Sequence, residues 1–344
     1  MRDNRAEPQA RKAPTLVHVA QLAGVGIGTA SRVLNDEGYV SERTAARVKA
    51  AIQQLGYKPN EVARSLKVRR SGAVGIVVPE LNDPFIASCV QAAQEVVRGA
   101  RKISVLIFSD GSPEIEAQEI DYLIRRQIDG ILIIPAGGRS EHLTPEALHH
   151  TPLVSFDQPI PGRHIDAVLV NNKEGAMAGA QHLIFHGHRR IAAIGVKKHL
   201  YSMSKRVEGY REVMKRAELE PEVCMFAPRP EAISAQVDLW LKQRKPPTAI
   251  FSLNCMTSIF LLKDLAERGV RIPEQIALVG FDDLQLADLL APPLTVVRQP
   301  AAKMGADAAT LLLERMAAPS AEPARRVTLD TELVLRRSCG CNPN

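Results

Sequence analysis

Ile27, Thr29, Ser31 and Arg32 stand close together after the string Gly24-Val-Gly26, and as a set they could read the edge of a DNA base pair. Arg32 can present two parallel donors to a guanine, and Ile27 can pack on a thymine methyl. Thr29 and Ser31 can hydrogen-bond phosphates or bases. Gly28 offers no side chain, so part of any sequence preference must come from elsewhere. Short helices are needed to position these residues. Thr15 can N-cap a helix from about Leu16 to Ala23 that turns Leu16, Val19, Ala20 and Ala23 to one side and stops at Gly24. A second helix is expected from near Ile27 to Asn35, with Ala30, Val33 and Leu34 inward. A third is expected from Glu42 to Leu55, capped by Ser41 and ended by Gly56. A helix, a tight glycine turn and a second helix form a helix-turn-helix, whose second helix enters the major groove. The same glycines read as a dinucleotide-binding loop would need a strand before them and an acidic strand end about 20 residues later, and neither is present.

Charge points the same way. Of 344 residues carrying a net charge of +6, residues 1–70 hold 13 Lys and Arg against 6 Asp and Glu, whereas the remainder is balanced at 31 against 32. The excess suits either a polyanion-binding module or a solvated basic face. Residues 1–13 are charged and aperiodic, so they read as a flexible tail ending at Pro14. After Pro59 a strongly basic stretch, Asn60 to Arg70, could form one or two helical turns around Val62, Ala63 and Leu66. With 45% apolar and 24% charged residues, and no apolar run near the roughly 18 residues that span a bilayer, the chain has a globular composition. Five scattered cysteines and a polar start lead to the expectation of a reduced, cytoplasmic protein with no membrane contact.

From Gly72 the pattern changes. Apolar runs at Val74–Val78, Ser104–Phe108, Gly130–Ile134, Leu153–Phe156, Val168–Val170, Ile191–Gly195, Ala249–Leu253 and Ile276–Gly280 alternate with helical patterns. This βα alternation predicts mostly parallel sheets covered by helices on both faces. About 270 residues exceed one ordinary sheet, so two lobes are expected, with a ligand crevice at the carboxyl ends of the strands.

Five ordered strings in the first part of the chain, Val19-Ala-Gln-Leu-Ala-Gly-Val, Ala30-Ser-Arg-Val-Leu-Asn, Tyr39-Val-Ser-Glu-Arg-Thr, Leu55-Gly-Tyr-Lys-Pro-Asn and Val62-Ala-Arg-Ser-Leu66, resemble the lac repressor (LacI/GalR) family of bacterial transcription regulators. The body resembles type I periplasmic sugar-binding proteins through Asn82-Asp-Pro-Phe, Arg206-Val-Glu-Gly-Tyr and Val279-Gly-Phe-Asp-Asp, among other strings. The resemblance implies an all-α helix-turn-helix DNA-binding domain over 14–58, a hinge over 59–71, and an α/β two-lobed periplasmic-binding-protein-like effector domain over 72–340. Its first lobe would hold about 72–170 and 300–326, and its second about 171–298 and 327–340.

The DNA-binding set so implied is Thr15, Ile27, Gly28, Thr29, Ser31, Arg32, Tyr57, Asn60, Ala63, Arg64, Leu66 and Lys67, with Leu66 as a wedge between base pairs in the minor groove. Leu66 read without the resemblance would cap the core of the following domain. The implied effector-binding set is Phe85, Asp157, Asn171, Arg206, Asn254 and Asp282. Carboxylates and an amide there would serve vicinal hydroxyls, Arg206 a two-pronged contact, and Phe85 the C–H face of a sugar. Each has a plainer reading: Asp157 and Asp282 as turn caps, Arg206 as a surface ion pair, Phe85 as core. Departures from the family pattern are Gly26 in place of a serine cap, Gly28 in place of a larger residue, Asn171 in place of a frequent aspartate, and Asn254-Cys255 where Asn-Asp is common. The last of these removes a negative charge and suggests a neutral or mildly anionic effector.

An enzyme finds no support. Walker, Gly-x-Ser-x-Gly and His-Glu-x-x-His motifs are missing. His182, His186 and His188 surround a helix end with no nearby carboxylate, and Cys339-Gly-Cys341 is half a metal site without a second pair near it. The expectation is therefore a regulator without metal or cofactor, acting on double-stranded operator DNA as a homodimer and controlled by a small-molecule effector, a sugar or a derivative. With no leucine heptad after Leu333-Val-Leu-Arg-Arg-Ser, a dimer is expected in preference to a tetramer.

Overall fold

The computed structural model describes residues 14–57, 71–138, 140–196, 200–226, 229–318 and 323–341. The expected tail 1–13 and the hinge residues Asn60, Ala63, Arg64, Leu66 and Lys67 lie outside them. The chain divides into two compact units, Met1–Arg69 and Arg70–Asn344.

In the first unit, α1 (Leu16–Ala23), α2 (Ile27–Asn35) and α3 (Glu42–Leu55) form where the local signals place them. The Thr15 backbone N–H donates to His18 Nδ1 at 3.1 Å and closes the start of α1. Gly24 ends α1 with φ of 61°, and Arg47 of α3 holds that turn by donating to the carbonyls of Ala23 and, at 3.0 Å, Gly24. Val19, Ala20, Ala23, Ala30, Val33, Val48 and Ala51 are buried together, and Tyr57 packs half-buried against them. The small residues of this core let three short helices approach closely. None is long enough to persist alone in water.

The second unit contains two six-stranded sheets. The first has the order β11-β5-β4-β3-β1-β2, from β1 (Ala73–Val78), β2 (Ile103–Phe108), β3 (Gly130–Ile133), β4 (Leu153–Phe156), β5 (Asp166–Val170) and β11 (Arg326–Leu329), all parallel. The second has the order β12-β10-β9-β8-β6-β7, from β6 (Ile191–Val196), β7 (Glu222–Phe226), β8 (Ala249–Ser252), β9 (Ala277–Phe281), β10 (Thr295–Arg298) and β12 (Glu332–Val334). Only β12 runs antiparallel to its neighbour. Helices cover both faces: α4 (Pro84–Gly99), α5 (Pro113–Arg125) and α10 (Ala301–Ala317) on the first sheet, and α6 (Asn172–Phe185), α7 (Tyr201–Arg216), α8 (Pro230–Lys242) and α9 (Cys255–Glu267) on the second. Val74, Ile76 and Val78 of β1 face α4 and α10, and Val77 faces α5. This alternation is what a doubly covered strand requires.

The chain crosses between the sheets after β5, after β10 and after β11. The last crossing falls after Leu329, because Arg326–Leu329 pairs with Ala167–Val170 in the first sheet. The sequence reading put 327–340 wholly with the second lobe. It also left β7, β10, β11 and β12 unassigned; three of them lie at a sheet edge, where burial leaves a weak apolar pattern.

In each lobe one helix pair makes its closest approach at a glycine. A Cβ on Gly305 of α10 would stand 1.9 Å from the Cys89 carbonyl oxygen of α4, and one on Gly209 of α7 would stand 2.2 Å from the Lys173 carbonyl oxygen of α6. Backbone cannot move aside as a side chain can. Gly305→Ala is therefore expected to cost about 1–3 kcal/mol or more, read as a lowered Tm. Gly99→Ala on α4, where a Cβ meets nothing within 4 Å, serves as the control and should leave Tm unchanged or raised.

Candidate functional site

In the first unit the side chains expected to read DNA share the outer side of α2. Ile27 is 51% exposed, Gly28 and Arg32 are exposed, and Thr29 and Ser31 are half-buried. Ser31 Oγ accepts a weak bond from Asn35 Nδ2 at 3.4 Å. With Gly26 as N-cap, no side-chain oxygen at that position satisfies the first amides of α2. Thr15 is at the start of α1, and Tyr57 belongs to the core as much as to the surface.

In the second unit five of the six expected effector residues line one cleft between the lobes: Phe85, Asp157, Arg206, Asn254 and Asp282. The cleft holds about 810 Å³ of atom-free space including its open mouth. Strand ends supply its polar groups, as an open parallel sheet dictates. Asp157 directly follows β4 and Asp282 directly follows β9, the same position in the two sheets. Both adopt positive φ, 61° and 77°. A left-handed residue that is not glycine costs energy, and these two aspartates bear that cost at the cleft wall.

Arg206 organises the centre. It is 2% exposed, its Nε donates to Asn172 Oδ1 at 2.7 Å and its NH1 to the Leu253 carbonyl at 2.7 Å. Its guanidinium carbon lies 3.7 Å from the centroid of the Phe281 ring, and NH1 lies 3.8 Å from Asp282 Oδ2. Burial pulls this guanidinium below its ordinary value, against the opposing pull of Asp282, Asp157 and Asp83. Asp282 accepts from the Cys255 backbone N–H at 3.1 Å and from Gln299 Nε2. Asn254 caps α9 and accepts from Thr257 at 2.5 Å. Gln158 spans the cleft: its Nε2 donates to Asp157 at 2.7 Å and to Ser202 Oγ of α7 at 2.6 Å, while its Oε1 accepts from the Ser202 N–H.

Asn171 departs from the expectation. It does not line the cleft; its side chain joins two of the lobe crossings, donating to Asp330 at 2.9 Å and accepting from the Thr331 N–H at 2.8 Å and the Thr331 hydroxyl at 2.9 Å. The cause is the pairing of β5 with β11, which brings residue 171 beside residue 330. The neighbouring Asn172 is the residue that reaches Arg206. Sequence reasoning also passed over Asp83, Gln158, Ser202 and Gln299. Asp83 could have been found, since Asp before Pro at a helix start is an N-cap signature, and its carboxylate does accept from the Phe85 N–H at 2.9 Å. Ser202 and Gln299 carry no local signal. Phe85 has both of its readings at once, as a cleft wall and as part of the first lobe's core.

Asp83 restores the negative charge that Cys255 removes, so three carboxylates surround one guanidinium. Burial, then Asp282 and Asp157, push the Asp83 carboxyl up to about 7, against the Phe85 amide and Arg206. Burial pushes Asp157 up to about 6, with Arg206 and Gln158 opposing it. Both carboxyls hold protons more tightly folded than unfolded, so the folded state takes up protons between pH 3.8 and about 7. Their contribution to stability is largest at the acid end of that window, declines as pH rises through it and is level above it. Asp83→Asn keeps the helix cap and removes the charge. The Tm of the variant minus that of the wild type should therefore increase between about pH 5 and about pH 8 in calorimetry without ligand. A constant difference would show that Asp83 titrates normally.

Comparison with known proteins follows the same division. Residues 15–60 match the model of bacterial regulatory proteins of the lacI family, and residues 180–339 match that of a periplasmic binding protein-like domain. Over 344 aligned residues the chain is 35% identical to the HTH-type transcriptional regulator CelR of Thermobifida fusca, covering 95% of this chain and 99% of that protein. It is 31% identical to the HTH-type transcriptional repressor PurR of Actinobacillus pleuropneumoniae serotype 3, covering 94% and 98%. Among solved structures, a complex of transcriptional regulator CelR with cellobiose aligns with a TM-score of 0.70 at 33% identity, over 94% of this chain and 99% of that one. A lac repressor dimer bound to operator and an anti-inducer aligns at 0.85 over 95% and 99%; at 23% identity this likeness speaks for the fold.

Proposed function

This chain belongs to the lacI family of bacterial regulatory proteins, and from that membership we propose a transcriptional repressor that binds operator DNA as a homodimer and answers to an uncharged, hydroxyl-rich saccharide in the interlobe cleft. One observation carries the choice of ligand. Asp157 Oδ1 and Gln299 Oε1 are buried in the cleft wall and find no hydrogen-bond donor among the described residues. Unpaired buried acceptors are costly, and sugar hydroxyls are the donors that would satisfy them. Asp157 and Asp282, joined by Asp83 as it ionises near pH 7, outweigh one guanidinium and would repel a sugar acid or a sugar phosphate. A relative with cellobiose in its solved complex supports the same class.

The cleft residues are given binding roles here and no catalytic ones. Action on the chromosome places the protein in the cytoplasm, and among the described residues no helix is long and apolar enough to cross a membrane. Dimerisation is part of the proposal through family membership. The hinge over 59–71, with Leu66 as its wedge, remains part of the proposal. Closing the lobes on a ligand would use the crossings tied by Asn171, and effector and operator affinities would then be reciprocally linked.

A thermal-shift panel on the full chain tests the ligand, with neutral mono- and disaccharides, sugar acids, sugar phosphates and nucleobases. A ligand at about 100 times its Kd stabilises by about 2.7 kcal/mol. The expected hits are neutral saccharides that also change operator affinity. Preference for an anionic sugar or a nucleobase would overturn the proposed ligand class.

A further inference from the structure

Away from the cleft, at the carboxyl-terminal end of α6, four soft ligands converge that no DNA-binding or effector role uses. His182 and His186 lie one turn apart on the helix, and Cys339 and Cys341 lie on the segment after β12. His182 Nε2 is 3.2 Å from Cys339 Sγ and 3.4 Å from Cys341 Sγ, and His186 Nε2 is 3.0 Å from Cys341 Sγ. The ligand atoms of His182, His186 and Cys341 all lie within 4.8 Å of one another. Nitrogen and sulfur bound to one tetrahedral zinc ion are separated by about 3.5 Å, given bond lengths near 2.0 and 2.3 Å. One imidazole nitrogen close to two sulfurs can donate a proton to only one of them, whereas a central cation satisfies every lone pair at once.

This corrects the reading of Cys339-Gly-Cys341 as half a site lacking a second pair. The missing pair is His182 and His186, more than 150 residues earlier in the chain. We propose that His182, His186, Cys339 and Cys341 form a structural site for a zinc-type divalent metal ion that clamps the carboxyl-terminal segment to the end of α6.

The surroundings suit it. Thr295 Oγ1 accepts from the Arg336 N–H at 2.9 Å, leaving its own proton for Cys339 Sγ at 3.1 Å, the kind of outer-shell donor that steadies a thiolate ligand. Two thiolates and two neutral imidazoles would balance the ion's two charges. The other end of α6 carries Asn172, which holds Arg206, so the clamp would anchor the helix that supports the cleft.

Cobalt titration of the reduced full-length protein tests this without DNA or effector, so its outcome is separate from that of the ligand panel. Expected are thiolate-to-cobalt charge-transfer and tetrahedral ligand-field bands saturating at one ion per chain, displacement of the cobalt by Zn²⁺, and a raised Tm with Zn²⁺. Cys341→Ser and His186→Ala should each weaken Zn²⁺ binding by more than the roughly 10- to 100-fold that loss of an outer-shell partner costs. His188→Ala should leave it unchanged, because His188 Nδ1 is 3.0 Å from Thr248 Oγ1 and outside the cluster. Circular dichroism of each apo variant checks the fold, and the half-buried Cys341 and the helix-end His186 probe the site independently. No cobalt binding, a spectrum without the charge-transfer band, or undiminished Zn²⁺ affinity in both variants would overturn the site.

Discussion

Arg206→Ala is expected to abolish the effector response while leaving operator binding intact. The guanidinium is buried and held by Asn172 and the Leu253 carbonyl before any ligand arrives, so little ordering remains to be done on binding. A hydrogen bond to a charged group contributes about 1.5–3 kcal/mol, and a two-pronged contact about twice that, so ligand affinity should fall by a hundredfold or more. Stability should fall as well. Removing one partner of a buried charge set costs about 3–5 kcal/mol, and here Asp83, Asp157 and Asp282 would be left facing one another. Protonation relieves part of that cost, so the variant's Tm should decline more steeply with rising pH than that of the wild type. Calorimetric titration with the panel's best saccharide, and operator binding with and without it, read both effects. Wild-type ligand affinity in the variant would show that Arg206 is scaffold alone.

Arg32→Ala should produce the second large effect, on DNA. Arg32 is exposed on α2, on the helix that also presents Ile27 and Gly28, and the neutral turn before it leaves Arg32 as the strongest donor of the set. Loss of a bidentate base contact costs about 1–3 kcal/mol on the operator. Binding to random duplex should change little, and the salt dependence on the operator should keep its slope, because the phosphate contacts survive. Equal weakening on operator and random DNA would instead assign Arg32 to the phosphate backbone.

The sequence by itself determined the features that local physics can specify. The helices Leu16–Ala23, Ile27–Asn35 and Glu42–Leu55 were legible because apolar spacing and caps at Thr15, Gly24, Ser41 and Gly56 act within a few residues of one another. The βα alternation was legible because strands covered on both faces must be continuously apolar, as β1 and β6 are. Five cleft residues were implied by the resemblance to periplasmic sugar-binding proteins. Short strands such as β11 and β12 were not legible, because pairing partners far along the chain decide them.

Tertiary structure alone decided which polar groups share a space. Asn171 and Asn172 are chemically alike neighbours, yet the β5–β11 pairing ties the first to a lobe crossing, while the packing of α6 on α7 turns the second to Arg206. Asp83 and Asp157 of the first lobe met Asp282 of the second only across the cleft. His182 and His186 met Cys339 and Cys341 because the strand order of the second sheet lays the carboxyl-terminal segment beside the end of α6. Hydrophobic periodicity says which face of an element is buried; it does not say which distant element covers that face, and the chemistry of both sites depends on the second fact.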